Sequence, residues 1–166
     1  MTARTRAEAL TTLREARARL TALIEDLSDE QIEAPATLGG GDWSIKDLIG
    51  HLAAWEERAL PWVESADGTD GRTYPPTDEF NAQQVERRGG WPLNRVRDEA
   101  AHTRTRLIDA IERLDDAAWQ AEVPVPGHDP LPRGVLVGMI LAGDEHGPFA
   151  HDLAHLSDVE AYVRGL

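Results

Sequence analysis

Residues 42–60 read DWSIKDLIGHLAAWEERAL, and their apolar side chains recur at the spacing of an amphipathic helix. Leu48, Leu52, Trp55, Ala59 and, just beyond, Val63 form one stripe. Ser44 is placed to cap the first turn, Asp47 stands three positions on where Glu is more usual, and Trp43 can pack on Leu48 as a hydrophobic staple. His51 borders the stripe, one turn after Asp47 and one before Trp55, which sets its ring at the edge of a core. A lone histidine in that position is ordinarily structural.

Outward from this helix the chain repeats the same kind of element. Leu10, Leu13, Ala16, Leu20, Leu23, Ile24 and Leu27 predict a long amphipathic helix from Arg6 to Leu27. Ser28 and Gln31 form a capping box for a short turn, and the glycines of TLGGGDW make the connection. Residues 65–76, SADGTDGRTYPP, predict an exposed crossover; Thr77 then caps a short helix from about Asp78 to Arg88. After GGWP, Asn94 caps a third long helix carrying Val96, Ala100, Leu107, Ile111 and Leu114, and Pro132 opens a fourth helical segment. VPVP is too short and proline-broken to predict a strand.

The third long helix echoes the first. A shift of 87 positions pairs Arg17, Arg19, Leu20, Ile24, Glu25, Leu27, Asp29 and Ala34 with identical residues at Arg104, Arg106, Leu107, Ile111, Glu112, Leu114, Asp116 and Ala121. A duplicated helix pair would give this pattern. Four long helices with short and long connections alternating predict an all-α four-helix bundle, a single domain over residues 1–166, with the long crossover between helices two and three.

Bulk properties narrow the function. The chain of 166 residues has no cysteine, so any metal must be held by His, Asp or Glu. Its net charge of −13, from 17 basic and 30 acidic residues, opposes phosphate backbones and anionic membranes. Neither nucleic acid nor membrane is an expected partner. With no long apolar run, and with a start, MTARTRAEAL, unlike a signal peptide, the expected location is cytoplasmic.

Three of the six histidines lie in HGPFAHDLAH, residues 146–155. On a helix His151 and His155 would lie about 40° apart around the axis and about 6 Å along it, within reach of one ion, whereas His146 would face about 140° away. H-x-x-x-H alone also occurs on solvated helices. Phe149, Leu153, Leu156 and Val163 form a stripe about 140° from the pair, which leaves the imidazoles in water unless the helix is packed on both sides. In the latter case Val159 and Tyr162 continue the histidine face inward, and the second stripe meets other helices or a second subunit of a homodimer. Gly147-Pro148 predicts a kink just before the pair. The adjacent carboxylates Glu56-Glu57 and Asp115-Asp116 read as solvated charge, and His102 and His128 as residues without a role.

Taken together, DWSIKDLIGHLAAWEERAL and HDLAHLSDVEAY resemble the second- and fourth-helix signatures of the DinB/YfiT-like superfamily, and FNAQQVERRGGWPLNRV is similar to its ClbS/DfsB-like subgroup. The resemblance runs from about Arg6 to Val163. It implies an up-down-down-up bundle and, at the matching positions, a divalent ion such as zinc or nickel held by His51, His151 and His155. Asp47, Trp55, Asp144, Asp158 and Tyr162 then become candidates for the pocket or for support of the ligands. Three imidazoles leave a position open, and an ion so held can activate a bound water or a low-molecular-weight thiol. The implied function is a small-molecule transferase, isomerase or hydrolase acting on electrophilic compounds. A metal-free ClbS-like binding or resistance protein is the second reading, and a non-catalytic helical dimer the third.

Overall fold

The computed structural model describes residues 4–35, 38 and 41–166; Gly39 and Gly40 of the expected glycine connection lie outside them. Four long segments build the bundle: α1 (Arg6–Ile24), α3 (Ile45–Glu64), α5 (Leu93–Arg113), and a fourth made of α7 (Arg133–Ile140), α8 (His151–Ala154) and α9 (Leu156–Arg164). Between them lie α2 (Asp29–Glu33), α4 (Thr77–Gly89), α6 (Asp116–Gln120) and a two-residue ladder of β1 (Glu122–Val123) with β2 (Leu131–Pro132).

Inter-helix pairs fix the directions. Glu56 meets Arg104 and Glu64 meets Arg106, so α3 and α5 run parallel. Arg6 reaches the Leu114 carbonyl while Arg97 reaches Asp29, so α1 opposes α5. Arg17 binds Asp152 and Tyr162 binds the Gln31 carbonyl, so the fourth segment runs with α1. The order is up-down-down-up, which requires the long crossover through α4.

Local chemistry sets the helix starts. Ser44 and Asp47 form a complete capping box on α3, and Ser28 with Gln31 on α2; Thr5 with Glu8 forms another on α1. Two expected caps are corrected. Pro76 and Pro92 occupy the N-cap positions of α4 and α5, so Thr77 and Leu93 are already helical and neither Thr77 nor Asn94 caps. A proline lacks the amide hydrogen that a helix start leaves unpaired in any case. The helix α1 also stops at Ile24, short of Leu27. Val123 enters the small ladder because its side chain is buried, which anchors a segment the prolines alone would leave irregular.

The core is in two parts. One cluster joins Leu13, Leu60, Leu107, Ile111, Trp119 and Phe149; the other joins Leu20, Ile32, Leu48, Leu52, Leu156 and Val159. Burying such side chains contributes about 1.5–3 kcal/mol each. Phe149 and Leu156 are therefore spent inside their own chain. The other two residues of the second stripe, Leu153 and Val163, are half-buried against the second cluster.

The expected kink is a complete break. After Leu141 the chain makes a 3-10 turn (Asp144–His146) and resumes as helix only at His151. Pro148 disfavours the α conformation at Gly147, which adopts φ +83°. Asp144 at φ +47° and Phe149 at φ +65° are also left-handed, a strained state for residues with a Cβ. Stacking of Phe149 on Trp119, ring centroids 5.8 Å apart, holds it there. Gly143 is obligatory for a different reason: a Cβ on it would lie 2.0 Å from the Ala150 carbonyl oxygen.

Candidate metal centre

Three elements deliver the three imidazoles. His51 comes from the middle of α3, His151 begins α8, and His155 sits in the joint between α8 and α9. Their Nε2 atoms converge: His51 to His151 is 3.1 Å and His155 to His151 is 3.4 Å. One nitrogen of each residue lies within 4.8 Å of the others. Four ligands at 2.0–2.1 Å around a tetrahedral ion are separated by about 3.3 Å, and the separations of His151 from His51 and from His155 match that spacing.

The electrostatics suit the same role. Burial, then repulsion from His151 and His155, pushes the pKa of His51 down to about 2. Burial, then His155, lowers His151 to about 4, and burial lowers His155 against the opposing pull of Asp158, Asp152 and Asp144. All three rings are neutral at ordinary pH and offer lone pairs. Trp43 lies 4.8 Å from the His51 ring, while Trp55 lies 6.3 Å from His51 and 5.7 Å from His151. The indoles wall the site, and Asn81 fixes Trp55 by accepting from its Nε1 at 3.0 Å.

The remaining sequence candidates are distributed unevenly. Asp47 spends one carboxylate oxygen on the cap, accepting from the Ser44 amide and hydroxyl. Tyr162 gives its hydroxyl proton to the Gln31 carbonyl at 2.7 Å. Asp158 and the exposed Asp144 lie near enough to act on His155, and His146 is exposed on the 3-10 turn.

Sequence reasoning passed over what lies behind the histidines. Glu56 is 2% exposed and Asp152 3% exposed, so Glu56 is not solvated charge. Arg17 donates from Nη2 to Glu56 at 2.9 Å and from Nε and Nη2 to Asp152 at 3.1 Å. Arg104 donates to Glu56 and to the Leu13 carbonyl, and to Asp152 at 3.1 Å. Two cations and two anions thus form a balanced layer between the apolar clusters. Burial pushes both carboxyls up; at Asp152 the two arginines outweigh it and hold the pKa below the usual range, whereas at Glu56 they do not and it is raised. The signal was in the repeat, because Arg17 and Arg104 are partners under the 87-residue shift. Through this layer Asp152 ties the four-residue α8, and with it His151, to α1 and α5. A groove of about 470 Å³ opens on the far side, walled partly by Arg17 and Arg104 and touching none of the histidines.

A four-helix bundle whose second and fourth segments bring three neutral histidines to one point defines a class of candidate metal proteins. The chain belongs to the DinB superfamily, whose family model matches residues 12–147. That match ends before His151 and His155. Among solved structures, the colibactin self-resistance protein ClbS, in complex with a dsDNA, aligns with TM-score 0.72 at 15% identity over 95% of this chain and 96% of its own. YfiT from Bacillus subtilis, described as a probable metal-dependent hydrolase with an unusual four-helix bundle topology, aligns with TM-score 0.64 at 15% identity over 96% and 86%. A mycothiol-dependent maleylpyruvate isomerase aligns with TM-score 0.66 at 18% identity over 84% of this chain and 59% of its own. At these identities the likeness is one of fold. No protein of curated function matches the sequence.

Proposed function

We propose that this protein is a metal-dependent enzyme acting on electrophilic small molecules, with His51, His151 and His155 as the ligands of a zinc or nickel ion. The observation that carries the reading is the convergence of three neutral imidazoles, His51 buried and His151 and His155 half-buried, with Nε2 separations of 3.1 and 3.4 Å. A divalent ion there supplies Lewis-acid activation of a water or a small thiol, chemistry suited to hydrolysis, S-transfer or isomerisation. The chain's own residues prepare the site: burial keeps the imidazoles unprotonated, the Trp43 and Trp55 rings keep water from their flanks, and Asp152 positions His151. A thiol co-substrate is consistent with the fold shared with the mycothiol-dependent isomerase.

The test is metal content. Purified protein supplemented with zinc, nickel or cobalt should hold one ion per chain, and His151→Ala should lower its affinity at least about tenfold. Failure of the wild-type protein to retain any of the three ions refutes the reading. The second reading, a metal-free small-molecule binding or resistance protein, draws on the fold shared with ClbS over nearly the whole of both chains. It predicts a thermal midpoint indifferent to chelator, whereas a resident ion at about 100 times its Kd adds about 2.7 kcal/mol. For this chain the net charge of −13 favours a small molecule over DNA as the bound partner in either reading.

A further inference from the structure

Arg58 follows His51 by seven residues, so it lies on the same face of α3, about two turns or about 10 Å along the axis. Its guanidinium is boxed by aromatic rings, with Cζ 4.9 Å from the Trp55 centroid, 4.4 Å from Tyr74 and 5.3 Å from Phe80. These rings also pack edge-on against one another, Trp55 on Phe80 at 5.3 Å and Tyr74 on Phe80 at 5.9 Å. Among the described residues Arg58 makes no hydrogen bond and no ion pair. Asp70 attracts it electrostatically but spends its carboxylate oxygens on Arg72 and on the Tyr74 hydroxyl. In a chain with 30 acidic residues, a half-buried cation with no acid in hydrogen-bond contact calls for a function.

Geometry says which function. The rings offer π-electrons and no hydrogen-bond acceptor in the ring plane, so the five N–H donors of the guanidinium remain available to a ligand. Their fork matches the two oxygens of a carboxylate. The Trp55 ring that packs on Arg58 also packs on His51 and His151, giving the guanidinium and the imidazoles a common aromatic wall. We propose that Arg58 is an anion anchor: it binds the carboxylate of a small molecule with a planar apolar body, whose other end reaches the three histidines. The assignment rests on the proposed metal centre for what the anchored molecule is presented to, but the anchor itself does not require the ion.

The probes are cinnamate, a planar carboxylate of suitable length, and its neutral isostere cinnamamide, titrated by calorimetry into zinc-loaded and chelator-treated protein. The wild-type protein should prefer the acid to the amide by about tenfold or more, the yield of a hydrogen-bonded charge pair. Arg58→Gln should remove that preference, leave cinnamamide binding unchanged and leave zinc content unchanged. Arg58→Lys keeps the cation but loses the fork; it should weaken cinnamate at least about threefold and serves if Arg58→Gln does not fold. Equal binding of acid and amide by the wild-type protein, absence of measurable cinnamate binding, or unaltered cinnamate binding in both variants overturns the proposal. Failure of the metal reading has a different signature, since the acid preference would then persist while no ion is retained.

Discussion

Asp152→Asn is the perturbation on which the account of the centre turns. The substitution keeps shape but removes one of the two negative charges that balance Arg17 and Arg104, and it points an amide N–H₂ at guanidinium donors. Removing one partner of a buried ion pair costs about 3–5 kcal/mol, because the partner left behind is buried and uncompensated. The side chain of Arg17 is 22% exposed and can turn partly to water, which places the cost near the lower end, at about 3 kcal/mol. For a domain of this size that is a fall of about 6–12 °C in thermal midpoint. The same carboxylate ties α8 to α1 and α5, so metal affinity should fall about 10–100-fold, as it does when the support of a ligand is lost. Urea unfolding of the metal-free protein reads the first effect and competitive zinc titration the second. Adding Arg17→Met should recover part of the stability by restoring charge balance, without recovering affinity. A stability loss below about 1 kcal/mol would refute the buried-layer argument. Lost stability with unchanged zinc affinity would refute the positioning role.

Two further outcomes follow from other parts of the molecule. Because burial and mutual repulsion hold His51 at about 2 and His151 at about 4, below the unfolded value of 6.5, the unfolded chain binds protons that the folded chain does not as the pH drops below 6.5. Stability of the metal-free protein should therefore be full above about pH 6.5 and fall by about 1.4 kcal/mol per pH unit for each of the two rings on the way to pH 4; a urea midpoint flat over that range would contradict the burial of the pair. Gly143→Ala forces a Cβ to 2.0 Å from the Ala150 carbonyl oxygen, and the loop that aims His151 must open. It should cost about 1–3 kcal/mol and weaken metal retention, measured by chemical unfolding and metal analysis, and a variant as stable and as well loaded as the parent would show that the loop does not position His151.

What the amino-acid sequence conveyed about the site divides at the chain break. Within α3 the arithmetic of a continuous helix holds, so the edge position of His51, the Ser44 cap and the neighbouring Trp55 were all legible. Across Gly147-Pro148 it does not. Asp144 was assigned to the histidine face by helical extrapolation; the positive φ of Asp144, Gly147 and Phe149 breaks that helical phase, and Asp144 still lies near enough to act on His155. The joint at His155, with φ −104° and ψ −4°, likewise resets the phase of α9, and the Tyr162 hydroxyl is spent on α2. Glu56 was misread because two carboxylates that point apart were both assigned to solvent. Neighbours on a helix point about 100° apart, which is enough to bury one carboxylate of a pair and leave the other at the surface.

The repeat acquires a physical meaning once the layer is seen. Under the 87-residue shift α1 corresponds to α5, and the arginine each contributes at the matching position binds the same two carboxylates. Those carboxylates belong to the elements that carry histidines: Glu56 lies five residues after His51, and Asp152 directly follows His151. The repeated helices are thus supports and the other two segments ligand carriers, joined by a charge layer that must balance because it is buried between two apolar clusters. A fourth helix broken into short pieces could not orient His151 and His155 through its own backbone ladder, since a four-residue helix has almost no intrinsic stability. The cross-brace from Asp152 to both supporting helices supplies the rigidity that the break removes. That is why His151 can sit beside three left-handed residues and still meet His51 at hydrogen-bond distance.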